Sequence, residues 1–176
     1  AQMHKAIAII QFKLEGQVIA RRPEFKMDDR NLLHKIDFEK GTVNIEGVDY
    51  PLKDPRFETV NPADPYVLTP EEADIVERLL NNFTHNMKLE KHVRCLYSKG
   101  SLYLVRNNNL LFHSSMPLNE DGSLKEVEVY GKIYKGKALF DAVDKIARAA
   151  FYEEKDQKLK EYAQDYMWYL WCGPDA

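Results

Sequence analysis

SLYLVRNNNLLFH, residues 101–113, carries a strand–turn–strand pattern that sets the character of the chain. Two apolar runs, Leu102 to Val105 and Leu110 to Phe112, flank Arg106-Asn107-Asn108-Asn109. Asparagine tolerates the left-handed backbone better than most residues, so the run predicts a tight turn between two antiparallel strands. The second strand delivers His113 to its own end, ahead of Ser114 and Ser115. An imidazole held at a strand end, in a loop of small residues, suits a metal ligand or a general base. The plainer alternative is a strand-end histidine bonded to a backbone carbonyl.

Helical signals lie on both sides of this hairpin. Upstream, Thr69 can cap a helix, Pro70 fits its first position and Glu72 completes a capping box. Val76, Leu79, Leu80, Phe83 and Met87 continue the apolar face, and Leu89, Val93 and Leu96 carry it to a stop at Lys99-Gly100. Downstream, residues 119–135 read as loop and short strand. Leu139, Ala142, Val143, Ile146 and Ala150 then form one amphipathic helix, and Leu159, Ala163, Tyr166, Met167 and Leu170 another.

The N-terminal third follows the same logic. KAIAIIQFKLEGQVIA, residues 5–20, places Ile7, Ile10, Leu14 and Val18 on one helical face, widened by Ala6, Ile9 and Phe12. Arg21-Arg22-Pro23 stops it, because the residue before proline avoids the helical region. Asp28 or Asp29 is expected to cap a short helix through Ile36. GTVNIEGVDYPL, residues 41–52, predicts a second hairpin turning at Glu46-Gly47. The proline-rich residues 53–68 predict an irregular connection. The expected class is α+β: amphipathic helices with β-hairpins. We expect a single partial domain over 1–176. Its helix-hairpin part, 1–66, is insert-like, and its helix-hairpin-helix part, 67–176, carries His113.

Composition narrows the function. Hydrophobic residues make up 44% and charged residues 30%, a globular balance. The 25 basic and 28 acidic residues are interspersed, giving a net charge of −3, so no basic stripe points to nucleic acid. No apolar run approaches the ~20 residues of a membrane span. Cys95 and Cys172 are too few and too distant for a disulfide framework or a zinc knuckle, which favours a reducing, cytoplasmic compartment.

Companions for His113 are hard to find in the sequence. A catalytic zinc needs about three protein ligands. His85 and His92 are seven apart with no evident third ligand, and His4 and His34 stand apart from both. There is no G-x-S-x-G and no glycine-rich phosphate loop. Arg21 and Arg22 match phosphate oxygens as candidate substrate-binding cations, or else they complement a helix C-terminus.

Three longer phrases carry more information than any of these motifs. KAIAIIQFKLEGQVIARRPEFKMDDRNLL, YSKGSLYLVRNNNLLFHSSMPLNEDGSLKEV and DYMWYLWCGP resemble, in this order, the bacterial class III fructose-1,6-bisphosphatases. That family belongs to the calcineurin-like metallophosphoesterases. The resemblance implies part of an α/β/β/α sandwich plus an insert. It also implies a cytosolic, manganese-dependent hydrolase that removes the 1-phosphate of fructose 1,6-bisphosphate in gluconeogenesis. The family's D-x-H, G-D-x-x-D-R, G-N-H-[DE] and G-H motifs do not occur here, and its proteins are several times longer. The chain therefore reads as a middle segment that leans on the remaining segments of a parent chain and is itself inactive, with a homo-oligomer possible. The resemblance places a metal-binding histidine on His113, with Ser114 where many relatives have glycine. The competing expectation is a non-catalytic oligomerisation or regulatory module of a larger enzyme.

Overall fold

The structure is a computed structural model and describes residues 2–113 and 115–175. Ser114 lies outside the described residues. The chain forms two compact units, Ala1–Asn86 and Met87–Ala176. Among the described residues it has five α-helices and three small antiparallel sheets, the α+β class expected. No helix is long and apolar enough to cross a membrane.

The first unit begins with α1, Gln2–Arg21, which ends before Pro23 as the sequence requires. Its covered face differs from the expected stripe. Ile9, Lys13, Gly16 and Ile19 are buried, whereas Ile7 is exposed. The helix is apolar on more than one side, so hydrophobicity alone does not choose the inward face. Two specific contacts do. Lys13 reaches Glu72, and the Tyr66 ring lies where a Gly16 side chain would begin, with Cδ1 at 2.1 Å from an ideal Cβ.

The helix expected through Ile36 is instead two separate 3-10 turns, Asp28–Arg30 and Leu33–Lys35. Met27 and Leu32 occupy the capping positions and give no side-chain bond; Asp28 and Asp29 fall inside the first turn. Asn31, with ψ at 85°, breaks the path between them. Burial of Phe25, Met27 and Leu33 holds this irregular segment in place.

A three-stranded sheet follows, β1 (Ile36–Asp37), β2 (Thr42–Ile45) and β3 (Val48–Pro51), in that order. Both turn residues, Glu46 and Gly47, have positive φ, the conformation that suits a two-residue hairpin. Residues 53–68 are irregular apart from one bridge between Asn61 and Asp64. Helix α2, Pro70–Thr84, starts with the complete capping box: Glu72 N donates to Thr69 Oγ1 at 3.2 Å, and Thr69 N to Glu72 Oε2 at 2.9 Å.

The second unit contains α3 (Met87–Lys99), the ribbon β4 (Tyr103–Arg106) and β5 (Asn109–Phe112), and the ribbon β6 (Val127–Val129) and β7 (Lys132–Tyr134). Helices α4 (Gly136–Tyr152) and α5 (Gln157–Cys172) complete it. Its core lies where α4 packs on α5, with Leu139, Val143 and Ile146 buried on one helix and Tyr162, Ala163 and Tyr166 on the other. The buried Val127 and Val129 set β6 against α4. Asp156 caps α5 by accepting from Leu159 N at 3.0 Å. Arg148 ties α4 to the end of α3, donating to the carbonyls of Tyr97 and Gly100 while paired with Asp144.

Candidate functional site

The β4–β5 ribbon positions the candidate histidine. Tyr103 pairs with Phe112, Leu104 with Leu111 and Val105 with Leu110. Asn107 and Asn108, at φ 49° and 62°, make the left-handed turn that the asparagine run predicts. His113 follows the last strand residue and is exposed. It lines a cavity of about 690 Å³ formed within the second unit.

Alternation along a strand explains the two faces of the ribbon. Tyr103 and Phe112 lie on one face and meet Phe140 of α4, with ring centroids 5.8 and 5.4 Å apart. Tyr103 also donates to Asp141 at 2.9 Å. Leu104 and Leu111 pair on the other face, where both are more than half exposed.

The cavity lining combines aromatic and polar side chains. Phe112, Phe140, Tyr166 and Leu170 supply the wall; Lys99, Ser101, His113, Ser115 and Asp175 supply polar groups. Burial, followed by the neighbouring Tyr162 and Tyr169 phenols and then Asp175, pushes the Tyr166 phenol well above the usual tyrosine range. Burial and then Asp175 push Tyr169 up to about 12. Both phenols therefore stay protonated near neutral pH, and Tyr166 serves as part of the cavity wall. Asp175 is engaged by Lys125.

The other sequence candidates are dispersed. Arg21 closes α1 and is exposed, and Arg22 precedes a 3-10 turn; both have partners in the folded chain. They belong to the first unit and His113 to the second. His34 pairs with the Tyr66 hydroxyl at 2.7 Å, and His85 closes α2 beside Asn81 O. His4 and His92 are exposed. Among the described residues no group of three or more His, Cys, Asp or Glu stands together as a metal site. Cys95 and Cys172 are not joined in a disulfide.

Two features escaped the sequence reading. Lys13, fully buried, donates to Glu72 Oε2 at 2.6 Å and to the Thr59 carbonyl. Burial alone would raise the Glu72 carboxyl; Lys13, Thr69 and Thr59 outweigh it and hold the group below its ordinary range. The legible signal was a lysine amid the apolar residues of α1. The second feature is Asp175 at the cavity, which no motif marks.

His113 is thus an exposed imidazole at a strand end that lines a cavity of the second unit. The chain belongs to the Firmicute fructose-1,6-bisphosphatase family, whose model matches residues 1–176. It is 57% identical over 175 residues to the Bacteroides fragilis protein named fructose-1,6-bisphosphatase class 3, covering 99% of this chain and 26% of that protein. The proteins of the same name from Bacteroides thetaiotaomicron and Clostridium novyi are 55% and 53% identical over 99% and 100% of this chain, again 26% of their own length. The chain thus spans about a quarter of the curated relatives it matches. No solved structure matches it.

Proposed function

We propose that this chain works as part of a cytoplasmic fructose-1,6-bisphosphatase. The reaction is hydrolysis of the 1-phosphate ester of fructose 1,6-bisphosphate: water adds at phosphorus, the bond to the sugar oxygen breaks, and fructose 6-phosphate and phosphate leave, a step of gluconeogenesis. The observation that carries the reading is identity of 53–57% across essentially the whole chain with proteins bearing that name.

In this reading His113 is the chain's contribution to a metal site. A neutral imidazole has one ring nitrogen free to ligate, and an exposed one at a strand end is accessible to groups from elsewhere. Manganese, which the family resemblance implies, needs more donors than this. The described residues do not hold such a centre by themselves. Arg21 and Arg22 are proposed to meet a substrate phosphate with their planar forks.

The ribbon supports a wider architecture. A two-stranded ribbon is marginal alone, and apolar residues on both faces suit a strand pair covered on both sides. We therefore read β4–β5 as belonging to a larger layered sheet of the metallophosphoesterase kind, the remaining strands lying in the rest of the enzyme. A second reading, an oligomerisation module, is favoured by the exposed apolar residues of α2 and α3.

Phosphate release from fructose 1,6-bisphosphate with Mn²⁺, measured for the chain alone and for a complete family enzyme carrying it, tests the proposal. Turnover by the complete enzyme and none by the chain is expected. An inactive complete enzyme, or an active isolated chain, contradicts it.

A further inference from the structure

Helix α4 gives the β4–β5 ribbon a fixed seat. Its Leu139, Val143 and Ile146 are buried, and Phe140 and Asp141, the two residues after Leu139, meet the ribbon. Tyr103 takes both. Its ring stacks on Phe140 with the planes 22° apart, and its hydroxyl donates to Asp141 Oδ1 at 2.9 Å. The other Asp141 oxygen accepts Lys137 Nζ at 2.6 Å. Lys137, and then the Tyr103 hydroxyl, hold the Asp141 carboxyl below its ordinary range, so it accepts as a carboxylate at neutral pH. Among the described residues this is the one side-chain hydrogen bond between the ribbon and α4.

Strand register carries that hold across to the second strand. Tyr103 lies directly opposite Phe112, and Phe112 meets the same Phe140 ring, with centroids 5.4 Å apart. His113 is the next residue along the chain. The far end of the ribbon, the Asn107-Asn108 turn, is exposed. The ribbon is therefore held at the end that carries His113. Among the described residues the His113 ring has no hydrogen-bond partner of its own, so the strand sets its place.

We propose that Tyr103 is a positioning residue for the reaction: seated on Phe140 and Asp141, it fixes the end of β5 and with it the His113 imidazole. The inference rests on the reading that His113 takes part in the chemistry. The ring supplies most of the hold and the hydroxyl the remainder, because Phe112 shares the ring contact and not the bond to Asp141. A group displaced by an ångström loses much of its effect on a reaction, so a loosened strand end is costly even though Tyr103 touches no reacting atom.

Two measurements on a complete family enzyme carrying this chain test the proposal: the kinetics of phosphate release from fructose 1,6-bisphosphate, and hydrogen exchange of the metal-free enzyme. Tyr103→Ala is expected to lower kcat about 10- to 100-fold with little change in KM. Exchange is expected to quicken in residues 109–113 and to stay unchanged in α4 and α5. Tyr103→Phe and Asp141→Ala keep the ring and lose only the bond, so each is expected to lower kcat about threefold. On a His113→Ala background, Tyr103→Ala is expected to cost nothing further.

Normal kcat in Tyr103→Ala overturns the proposal. So does an equal loss on the His113→Ala background, which would place the action of Tyr103 elsewhere, or quickened exchange throughout α4 and α5, which would mark general destabilisation. Normal turnover by His113→Ala alone refutes the role of His113 first and this inference with it; a large loss there with none in Tyr103→Ala refutes only this inference. If Tyr103→Ala fails to fold, Tyr103→Phe and Asp141→Ala decide. Matching losses that vanish on the His113→Ala background support the proposal, and unchanged kcat in both overturns it.

Discussion

Lys13 Nζ lies 2.6 Å from Glu72 Oε2, and the lysine is completely buried. This pair joins the middle of α1 to the first turn of α2. The same carboxylate oxygen accepts Thr69 N, so the cap of α2 and the tether to α1 share one atom. A lone buried charge is far more costly than a matched pair, so this contact acts as a unit.

Removal of one member is therefore expected to do more harm than removal of both. Lys13→Met strands the carboxylate and should lower stability by about 3–5 kcal/mol in urea unfolding. Lys13→Met combined with Glu72→Met should lose less than the sum of the single changes. Additive losses would contradict the coupling.

Acid should weaken the same contact. The Glu72 carboxyl sits below its ordinary value of 4.5 in the folded chain. Between the lowered and ordinary values the unfolded chain binds more protons, so stability rises with pH. The contribution is complete above pH 4.5 and is lost as pH falls through the lowered folded value. Glu72→Gln should flatten the acid limb of stability measured by circular dichroism. An unchanged acid limb would show that other carboxylates set it.

Gly16 offers a test of packing against propensity. Alanine favours a helix interior by about 1 kcal/mol over glycine. Here its Cβ would stand 2.1 Å from Tyr66 Cδ1, and the ring is held by the His34 contact to its hydroxyl. Gly16→Ala should destabilise by about 1–3 kcal/mol in thermal or urea unfolding. Tyr66→Ala should turn the same substitution favourable; a stabilising Gly16→Ala in the unaltered chain would mean the ring moves freely.

Arg148 should prove to be an anchor of α3. Its guanidinium takes the carbonyls of Tyr97 and Gly100, groups at the end of a helix that lack partners within it. Arg148→Ala is expected to lower the stability of the second unit, seen as a lower midpoint in urea unfolding. Hydrogen exchange should quicken in residues 94–100 first; uniform quickening over the unit would contradict the local role.

The hairpins and helices were legible because their signals are local. Asn107-Asn108, Glu46-Gly47 and Thr69-Pro70-Glu71-Glu72 specify backbone conformation within a few residues. The inward face of α1 was not legible, because Lys13 is chosen by a carboxylate 59 residues away. The short helix expected near Asp28 failed for a similar reason: the distant packing of Met27 and Leu33 overrides a capping signal. At the site, the strand-end position of His113 could be read from the apolar run ahead of it, whereas its exposure could not. Asp175 beside the cavity could not, since only the folding of α5 onto α4 brings it there.

The most direct measurement is phosphate release from fructose 1,6-bisphosphate by a complete family enzyme carrying this chain, with and without His113→Ala, alongside Mn²⁺ binding by both. A fall of about 100-fold in turnover together with weaker metal binding, the fold remaining intact, is expected. Near-normal turnover and metal affinity would make His113 a structural end to its strand and would contradict the claim that this chain supplies a metal ligand.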